Sequence, residues 1–300
     1  MRIILAPSNL GLRPLRPGHE PGAWRAPAAL MAAGLKSATD PGGIVELARP
    51  DYSAAAQPGT RLRNGPQMRR FNLVLADEVD RAVQDGRFAL VVGGDCSVLL
   101  GALAGARRHG QLSLVHVDGH SDFRHPGNYD PASVLGAVAG MDLALATGRG
   151  EALMTDWPGV TGPLVQDRNV VQLGERESRD PDFAWPDVNL TEIERLDIFE
   201  ARRIGMPAVV DRIRQTLDRL PGRGFWVHFD VDVLDQRIMP AVDSPGSPGL
   251  DVDEVVHVLG RCVAEPGCIG MTLTVFDPDL DPDGAYAAVI VDILSRLPLR

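Results

Sequence analysis

The sequence predicts an α/β fold in three layers, with a central, mainly parallel sheet between two layers of helices. Short apolar segments typical of buried strands alternate with helical segments from end to end. No linker, composition shift or internal repeat divides the chain, so residues 1–300 are predicted to form a single domain. Acidic residues follow several predicted strands directly, and ligand sites in such sheets lie at the carboxyl ends of the strands.

Hydrophobic periodicity and turn signals place the individual elements. The predicted strands span residues 2–6, 44–48, 88–92, 112–117, 169–173, 225–229 and 269–276. The predicted helices span residues 27–35, 67–84, 98–110, 131–147, 207–220, 250–264 and 284–297. Residues 7–27 are rich in Gly and Pro and predict a loop at the mouth of a site. Residues 178–206 carry mixed signals and receive no element.

Composition excludes several classes of protein. The net charge of −10 argues against a nucleic-acid or anionic-membrane surface. No apolar run approaches the length of a membrane span, and the first apolar segment predicts a strand rather than a signal peptide. Three cysteines are too few for a disulfide framework, so a cytoplasmic location is expected.

The segment DGHSD, residues 118–122, predicts a metal site. Asp118, His120 and Asp122 follow a buried strand at every second position, so in extended backbone they project on one side. Two carboxylates and an imidazole suit a hard or borderline cation. The alternative is an ordinary polar loop, because so short a pattern also occurs by chance.

Two further clusters strengthen the metal interpretation. Another buried strand ends in Asp230 and Asp232, and Cys96 lies at a strand-to-helix turn. Carboxylates gathered in one cleft repel each other unless cations neutralise them. A pair of ions bridged by Asp118 and Asp230 fits this charge, oxygen-rich ligation suits Mn²⁺, and two such ions favour metal-assisted hydrolysis.

The motifs together resemble the ureohydrolase superfamily of arginases, agmatinases and formiminoglutamases. The resemblance rests on GGDCS at 93–97, DGHSD at 118–122 and HFDVDVLDQ at 228–236, and spans nearly the whole chain. It implies an arginase-like fold and a two-manganese centre that hydrolyses a C–N bond. One ion would be held by Cys96, Asp118, Asp122 and Asp230, and the other by His120, Asp118, Asp230 and Asp232. Asp122 would also act in catalysis, by binding the attacking water and moving protons to the leaving nitrogen.

Two departures from the family pattern affect the metal and the proton path. Cys96 stands where the family has a histidine ligand, and a thiolate would favour Zn²⁺ or Fe²⁺ more than imidazole does. Alternatively, Cys96 is a small buried hydrophobic residue. Ala139 stands where arginases have a histidine that shuttles protons. His125 is the expected substitute, with His116 and His228 also nearby in sequence, although any of the three could be structural.

A third departure concerns the substrate. Val275 aligns with the family glutamate that binds the guanidinium, and Asp277 is either its substitute or a turn residue. By the same resemblance, Glu177 and Asn128 approach the other end of the substrate. The pattern is partly similar to that of the hydrolases of Nω-hydroxy-arginine. Their substrate is less basic than arginine and therefore depends less on a carboxylate that binds the guanidinium group.

The predicted function is therefore metal-dependent hydrolysis of a linear guanidino, hydroxyguanidino or amidino compound other than ordinary arginine. A non-catalytic, metal-binding or sensing relative is the first alternative, and a deacetylase with a single zinc ion is the second. The expected partners are a small-molecule substrate and further copies of the chain, as a trimer or hexamer by resemblance, with no nucleic acid and no membrane.

Overall fold

The computed structural model describes residues 1–180 and 185–299 and contains an eight-stranded, wholly parallel sheet. This confirms the predicted α/β architecture. The strands are β1 (Arg2–Ala6), β2 (Ile44–Glu46), β3 (Ala89–Gly93), β4 (Ser113–Val117), β5 (Val170–Leu173), β6 (Glu194–Leu196), β7 (Phe225–Asp230) and β8 (Cys268–Thr274).

Helices cover both faces of the sheet. They are α1 (Ala26–Ala32), α2 (Leu35–Thr39), α3 (Gly65–Gln84), α4 (Val98–Arg107), α5 (Asp142–Ala146), α6 (Ala152–Thr155), α7 (Ile198–Ile204), α8 (Met206–Leu217), α9 (Val252–Ala264) and α10 (Ala285–Ser295). One apolar core lies between the sheet and helices α1, α2 and α7–α10. The other lies between the sheet and helices α3–α6. The buried strands are apolar on both faces for this reason.

The order of the strands brings distant parts of the chain together at the carboxyl ends of the central strands. The order is β2-β1-β3-β8-β7-β4-β5-β6, so β3, β8, β7 and β4 are adjacent in the middle of the sheet. Because the strands are parallel, the segments that follow these four strands meet at their carboxyl ends. Cys96, Asp118 and Val275 lie in these segments, and Asp230 is the last residue of β7.

Two stretches differ from the sequence prediction. The predicted helix over 131–147 is wrong in its first half, since regular structure begins with a 3-10 turn at Val138–Gly140 and continues in α5. Gly136 instead exchanges backbone hydrogen bonds of 2.8 Å with Arg61 and Arg63, which draws the Ala- and Leu-rich segment into a loop pairing. Strand β6 and helix α7 lie in the region that received no element.

Gly270 is required by a close contact inside the sheet. A Cβ atom there would lie 2.2 Å from Cζ3 of Trp226 and 2.7 Å from the carbonyl oxygen of Ala89. Gly260, inside α9, has its nearest neighbour at 4.0 Å.

We therefore expect Gly270→Ala to destabilise the protein by about 1–3 kcal/mol through overpacking. Gly260→Ala, the matched control, should stabilise it by about 0.5–1 kcal/mol, because alanine loses less entropy in a helix. Urea denaturation measures both changes. Equal effects of the two substitutions would contradict this account of the sheet contact.

Candidate metal centre

Asp95 fixes the turn after β3. The side chain of Cys96 faces the carboxyl end of β7. Asp95 accepts hydrogen bonds from the Ser8 hydroxyl at 2.8 Å and from the backbone N–H of Ser97 at 2.9 Å. The Cys96 thiol lies 2.7 Å from Oδ2 of Asp230. Burial, reinforced by the charge of Asp230, raises the pKa of this thiol well above its ordinary value. The protonated thiol therefore donates to Asp230.

The backbone after β4 turns between Asp118 and Asp122, so these residues do not lie along one extended face. Asp122 has a φ of 46°, in the left-handed region that Asp tolerates better than most residues. Gly119 is needed at this point, because a Cβ atom would lie 1.8 Å from Nη2 of Arg176. Asp118 and Asp122 are buried, while His120 is partly exposed.

The end of β7 supplies the carboxylates that complete the cluster. Asp230 accepts a 2.8 Å hydrogen bond from the backbone N–H of Asp232. Asp232 in turn accepts one of 3.0 Å from the N–H of Gly119 and lies 2.9 Å from Nδ1 of His120. Burial alone would lower the pKa of His120, but Asp232 outweighs it and raises that pKa to about 9.

The cluster has more buried negative charge than its hydrogen bonds satisfy. Burial, together with the charges of neighbouring carboxylates, raises the pKa values of Asp118, Asp122 and Asp230 well above the ordinary range. Oδ2 of Asp118 is buried and has no hydrogen-bond partner. A carboxylate oxygen in this situation needs a proton or a cation.

The donor atoms fall into overlapping sets of the size that metal ions require. Ligand atoms within 4.8 Å of one another come from Cys96, Asp118, Asp230 and His228 in one set, and from Asp118, His120 and Asp232 in another. Asp118 belongs to both sets, as a bridging ligand would. The residues present therefore fit a pair of divalent cations.

Glu177 borders this cluster, and its predicted contact with the substrate stays a prediction. Its Oε2 accepts a hydrogen bond of 3.2 Å from the backbone N–H of Ser121, next to His120. Burial raises the pKa of Glu177, and the charge of His120 partly offsets that shift.

The other predicted site residues make their contacts outside the cluster formed by Asp118, Asp122, Asp230 and Asp232. Nε2 of His125 lies 2.6 Å from Asp187, and the side-chain amide of Asn128 donates to the same carboxylate at 3.2 Å. Asp277 accepts from the backbone N–H groups of Gly22 at 3.0 Å and Asp279 at 2.9 Å, so it stabilises a turn. The functions predicted for His125, Asn128 and Asp277 are untested by these contacts and stay predictions.

Asp142 and Asp243 lie near the centre and were missed from the sequence, and the contact of Asp142 with His116 was not predicted. Asp142, at the start of α5, lies 3.2 Å from Nε2 of the buried His116, and His116 stacks on His228 with ring centroids 4.8 Å apart. Burial and the charge of Asp232 raise the pKa of Asp243 to about 6. A histidine within each of two otherwise apolar strands was the sequence signal for the contact between Asp142 and His116.

None of the helices in the described residues is long and apolar enough to cross a membrane. The predicted cytoplasmic location and homo-oligomeric assembly stay predictions.

Comparison with known proteins agrees with the fold. The model of the arginase family matches residues 4–298. The arginase of Bacillus caldovelox is 32% identical over 245 residues, which cover 80% of this chain and 78% of the relative. The arginase of Brevibacillus brevis is 30% identical and covers 75% of this chain and 74% of its own length.

Solved structures are similar over almost the whole length. The native structure of B. caldovelox arginase has a TM-score of 0.83 and 26% identity, covering 99% of this chain and 97% of that chain. Proclavaminate amidino hydrolase from Streptomyces clavuligerus shares the fold, with a TM-score of 0.70, 19% identity, and coverage of 99% of this chain and 89% of that chain. The chain described here belongs to the arginase family, whose members are hydrolases of C–N bonds in guanidines and amidines.

Proposed function

We propose that this protein is a two-metal hydrolase that cleaves a C–N bond of a linear guanidino, hydroxyguanidino or amidino compound, and that ordinary arginine is not its preferred substrate. The observation that carries the proposal is the overlap of two donor sets at Asp118, inside a cluster of buried carboxylates. Such a cluster is costly to fold unless cations occupy it.

The family resemblance divides the ligands between two positions. Asp118 and Asp230 would be shared by both, with Cys96 and Asp122 completing one position and His120 and Asp232 the other. Oxygen ligands with one imidazole suit Mn²⁺. A pair of divalent ions there would lower the pKa of a water molecule and let it attack a planar carbon at neutral pH.

Asp122 is the carboxylate best placed to move protons. It is 7% exposed, whereas Asp118 is fully buried and Asp230 is 1% exposed. It can therefore face both a bound ion and the substrate, take a proton from the attacking water and pass it to the leaving nitrogen. Glu177 and Ser121 lie beside this position and would bind a polar group of the substrate.

The surroundings of Val275 support a substrate less basic than arginine. Val275 is 3% exposed and its backbone N–H donates to Gly94 at 2.6 Å, beside the turn that carries Cys96. Its φ of 78° is unusual for a β-branched residue, so the backbone is specially positioned here. An apolar side chain cannot make the charge-assisted hydrogen bonds that a guanidinium cation prefers. A hydroxyguanidine or a neutral amidine loses less binding free energy than a guanidinium cation at such a site.

A second candidate follows from one of the donor sets. Asp118, His120 and Asp232 together could hold a single Zn²⁺, as a deacetylase would require. That function predicts one ion per chain, lost on His120→Ala, and no turnover of guanidines. A non-catalytic relative would bind metal without turnover of any substrate.

Activity measurements on the manganese-loaded protein test the proposal. The panel comprises arginine, Nω-hydroxy-arginine, agmatine, guanidino acids and formimino-glutamate, assayed for urea, hydroxyurea or formamide. We expect a member other than arginine to have the highest kcat/KM. Asp230→Asn should lower kcat/KM by at least about 100-fold, because metal ions supply several kcal/mol of transition-state stabilisation.

Asp253→Asn is the matched control, since the Asp253 side chain is 83% exposed and pairs with Arg296. It should leave kcat/KM unchanged. The proposal is wrong if fully metallated protein turns over no member of the panel, and preference for arginine would overturn the part that concerns the substrate.

The buried carboxylates also predict an unusual pH dependence of stability in the metal-free protein. Their pKa values are raised in the folded state, so between about pH 4 and those raised values the folded chain holds more protons than the unfolded chain. Their contribution to stability is therefore largest at low pH and is lost as pH rises. Each such carboxyl changes the free energy of unfolding by up to about 1.4 kcal/mol per pH unit.

We expect Mn²⁺ to raise the melting temperature more at pH 7.5 than at pH 5.5, because the ions replace the protons that these carboxyls otherwise keep. Asp118→Asn should reduce that difference, and Asp253→Asn should not. A metal effect that is independent of pH would argue against cations at these carboxylates. Thermal unfolding with and without chelator measures the effect.

A further inference from the structure

Arg176 joins three segments of the chain beside the position assigned to His120 and Asp232. Its Nη2 donates a hydrogen bond to the backbone carbonyl of Asp232, and its backbone N–H donates to the carbonyl of Gly119 at 3.0 Å. A Cβ atom on Gly119 would lie 1.8 Å from Nη2, and one on Gly246 would lie 2.6 Å from Nη1. The guanidinium group therefore fills a space that these two glycines leave open.

The turn that carries Arg176 is itself fixed by a buried carboxylate. Glu175 is fully buried, and its Oε2 accepts hydrogen bonds from the backbone N–H groups of Glu177 at 2.9 Å and Ser178 at 3.0 Å. Its Oε1 accepts from the side chain of Arg195. Arg176 thus projects from a rigid support, and a rigid support keeps the groups that it contacts at fixed distances.

Two properties of the Arg176 side chain are unfavourable at this place. Its Nε and Nη1 are buried and have no hydrogen-bond partner within the described residues, and burying such donors costs free energy. Its positive charge opposes a cation held by His120 and Asp232, because like charges repel. A benefit of Arg176 to the metal centre therefore has to come from the position that it gives to the ligands.

We propose that Arg176 is a positioning residue for the ion held by His120 and Asp232. The inference rests on the two-metal function proposed above. The two hydrogen bonds that Arg176 donates hold the turn after β4 against the turn after β7. The backbone N–H of Gly119 donates to Oδ1 of Asp232 at 3.0 Å across the same contact, so ligands from the two turns keep one spacing. Groups that orient metal ligands in this way contribute about 10–100-fold to metal affinity.

Titration of the metal-free protein with Mn²⁺ tests this inference, with free Mn²⁺ measured from its electron paramagnetic resonance signal. Arg176→Met keeps the apolar part of the side chain but removes the hydrogen bond to Asp232 and the charge. We expect it to raise the Kd of one ion by about 10–100-fold and to leave the Kd of the other unchanged. Arg176→Lys, whose ammonium group can still donate to the Asp232 carbonyl, should recover part of the loss.

Two further variants serve as controls. His120→Asn identifies the affected ion, since its remaining ion should have the same Kd with and without Arg176→Met. Arg179→Met is the matched control, because the Arg179 side chain is exposed and its guanidinium packs over the ring of Phe199 at 3.7 Å. It should bind both ions as the unmutated chain does.

Gly246→Ala displaces the guanidinium while it keeps the charge of Arg176 and every metal ligand. The added Cβ atom would lie 2.6 Å from Nη1, so the end of the Arg176 side chain has to move. We expect the same ion to bind more weakly in this variant. It also tests the proposal if Arg176→Met does not fold, which thermal unfolding of the metal-free proteins shows.

The direction of the change in Kd is decisive. Tighter binding of the ion in Arg176→Met would show that charge repulsion outweighs positioning, and would overturn the proposal. Unchanged binding, or equal weakening of both ions, would overturn it as well, since Arg176 would then support only the fold. In these outcomes the unmutated chain still binds two ions and the two-metal function stands. An unmutated chain that binds no Mn²⁺ would remove that function and this inference with it.

Discussion

Repulsion among buried carboxylates at the carboxyl ends of β4 and β7 is the constraint on which the rest of the site depends. Asp118 and Asp230 are taken almost completely out of water, where an unpaired charge costs several kcal/mol. Backbone N–H groups of His120 and Asp232 offset part of this cost. They leave an oxygen of Asp118 unpaired, so hydrogen bonding alone does not balance the cluster. Divalent cations at this position would provide the balance and, with it, the hydrolytic chemistry.

The parallel sheet makes this concentration of charge possible. Strands β4 and β7 are adjacent although more than 100 residues separate them in the chain, because β7 returns to the middle of the sheet. Apolar cores on both faces hold the strands rigidly, and the carboxylates project from their ends. A rigid support of this kind keeps ligands at fixed distances even before a metal binds.

Much of the fold and half of the site follow from sequence patterns. Apolar strands alternating with helices predict the parallel sheet, and the rule that sites lie at carboxyl strand ends places Asp118 and Asp230 together. The pairing of His116 with His228 depends on the register between β4 and β7, which nothing local in the sequence specifies. The contact of Asp142 with His116 depends on the path of the chain after residue 131, which does not form the predicted helix. Backbone hydrogen bonds of Gly136 to a distant loop determine this path.

The same limitation explains the residues predicted to bind substrate. Spacing along the chain places His125 and Asn128 close to the metal ligands, but tertiary contacts with Asp187 decide where their side chains point. A strand fixes the direction of a side chain, as β7 does for Asp230. In a loop, a contact with a distant carboxylate can set that direction instead.

Anomalous X-ray diffraction from crystals of the metal-loaded protein tests the central claim most directly, because it locates each ion without reference to activity. We predict two peaks per chain, both within bonding distance of Asp118. One should lie beside His120 and Asp232, and the other beside Cys96 and Asp122. A map with no peak within bonding distance of Asp118 would contradict the account.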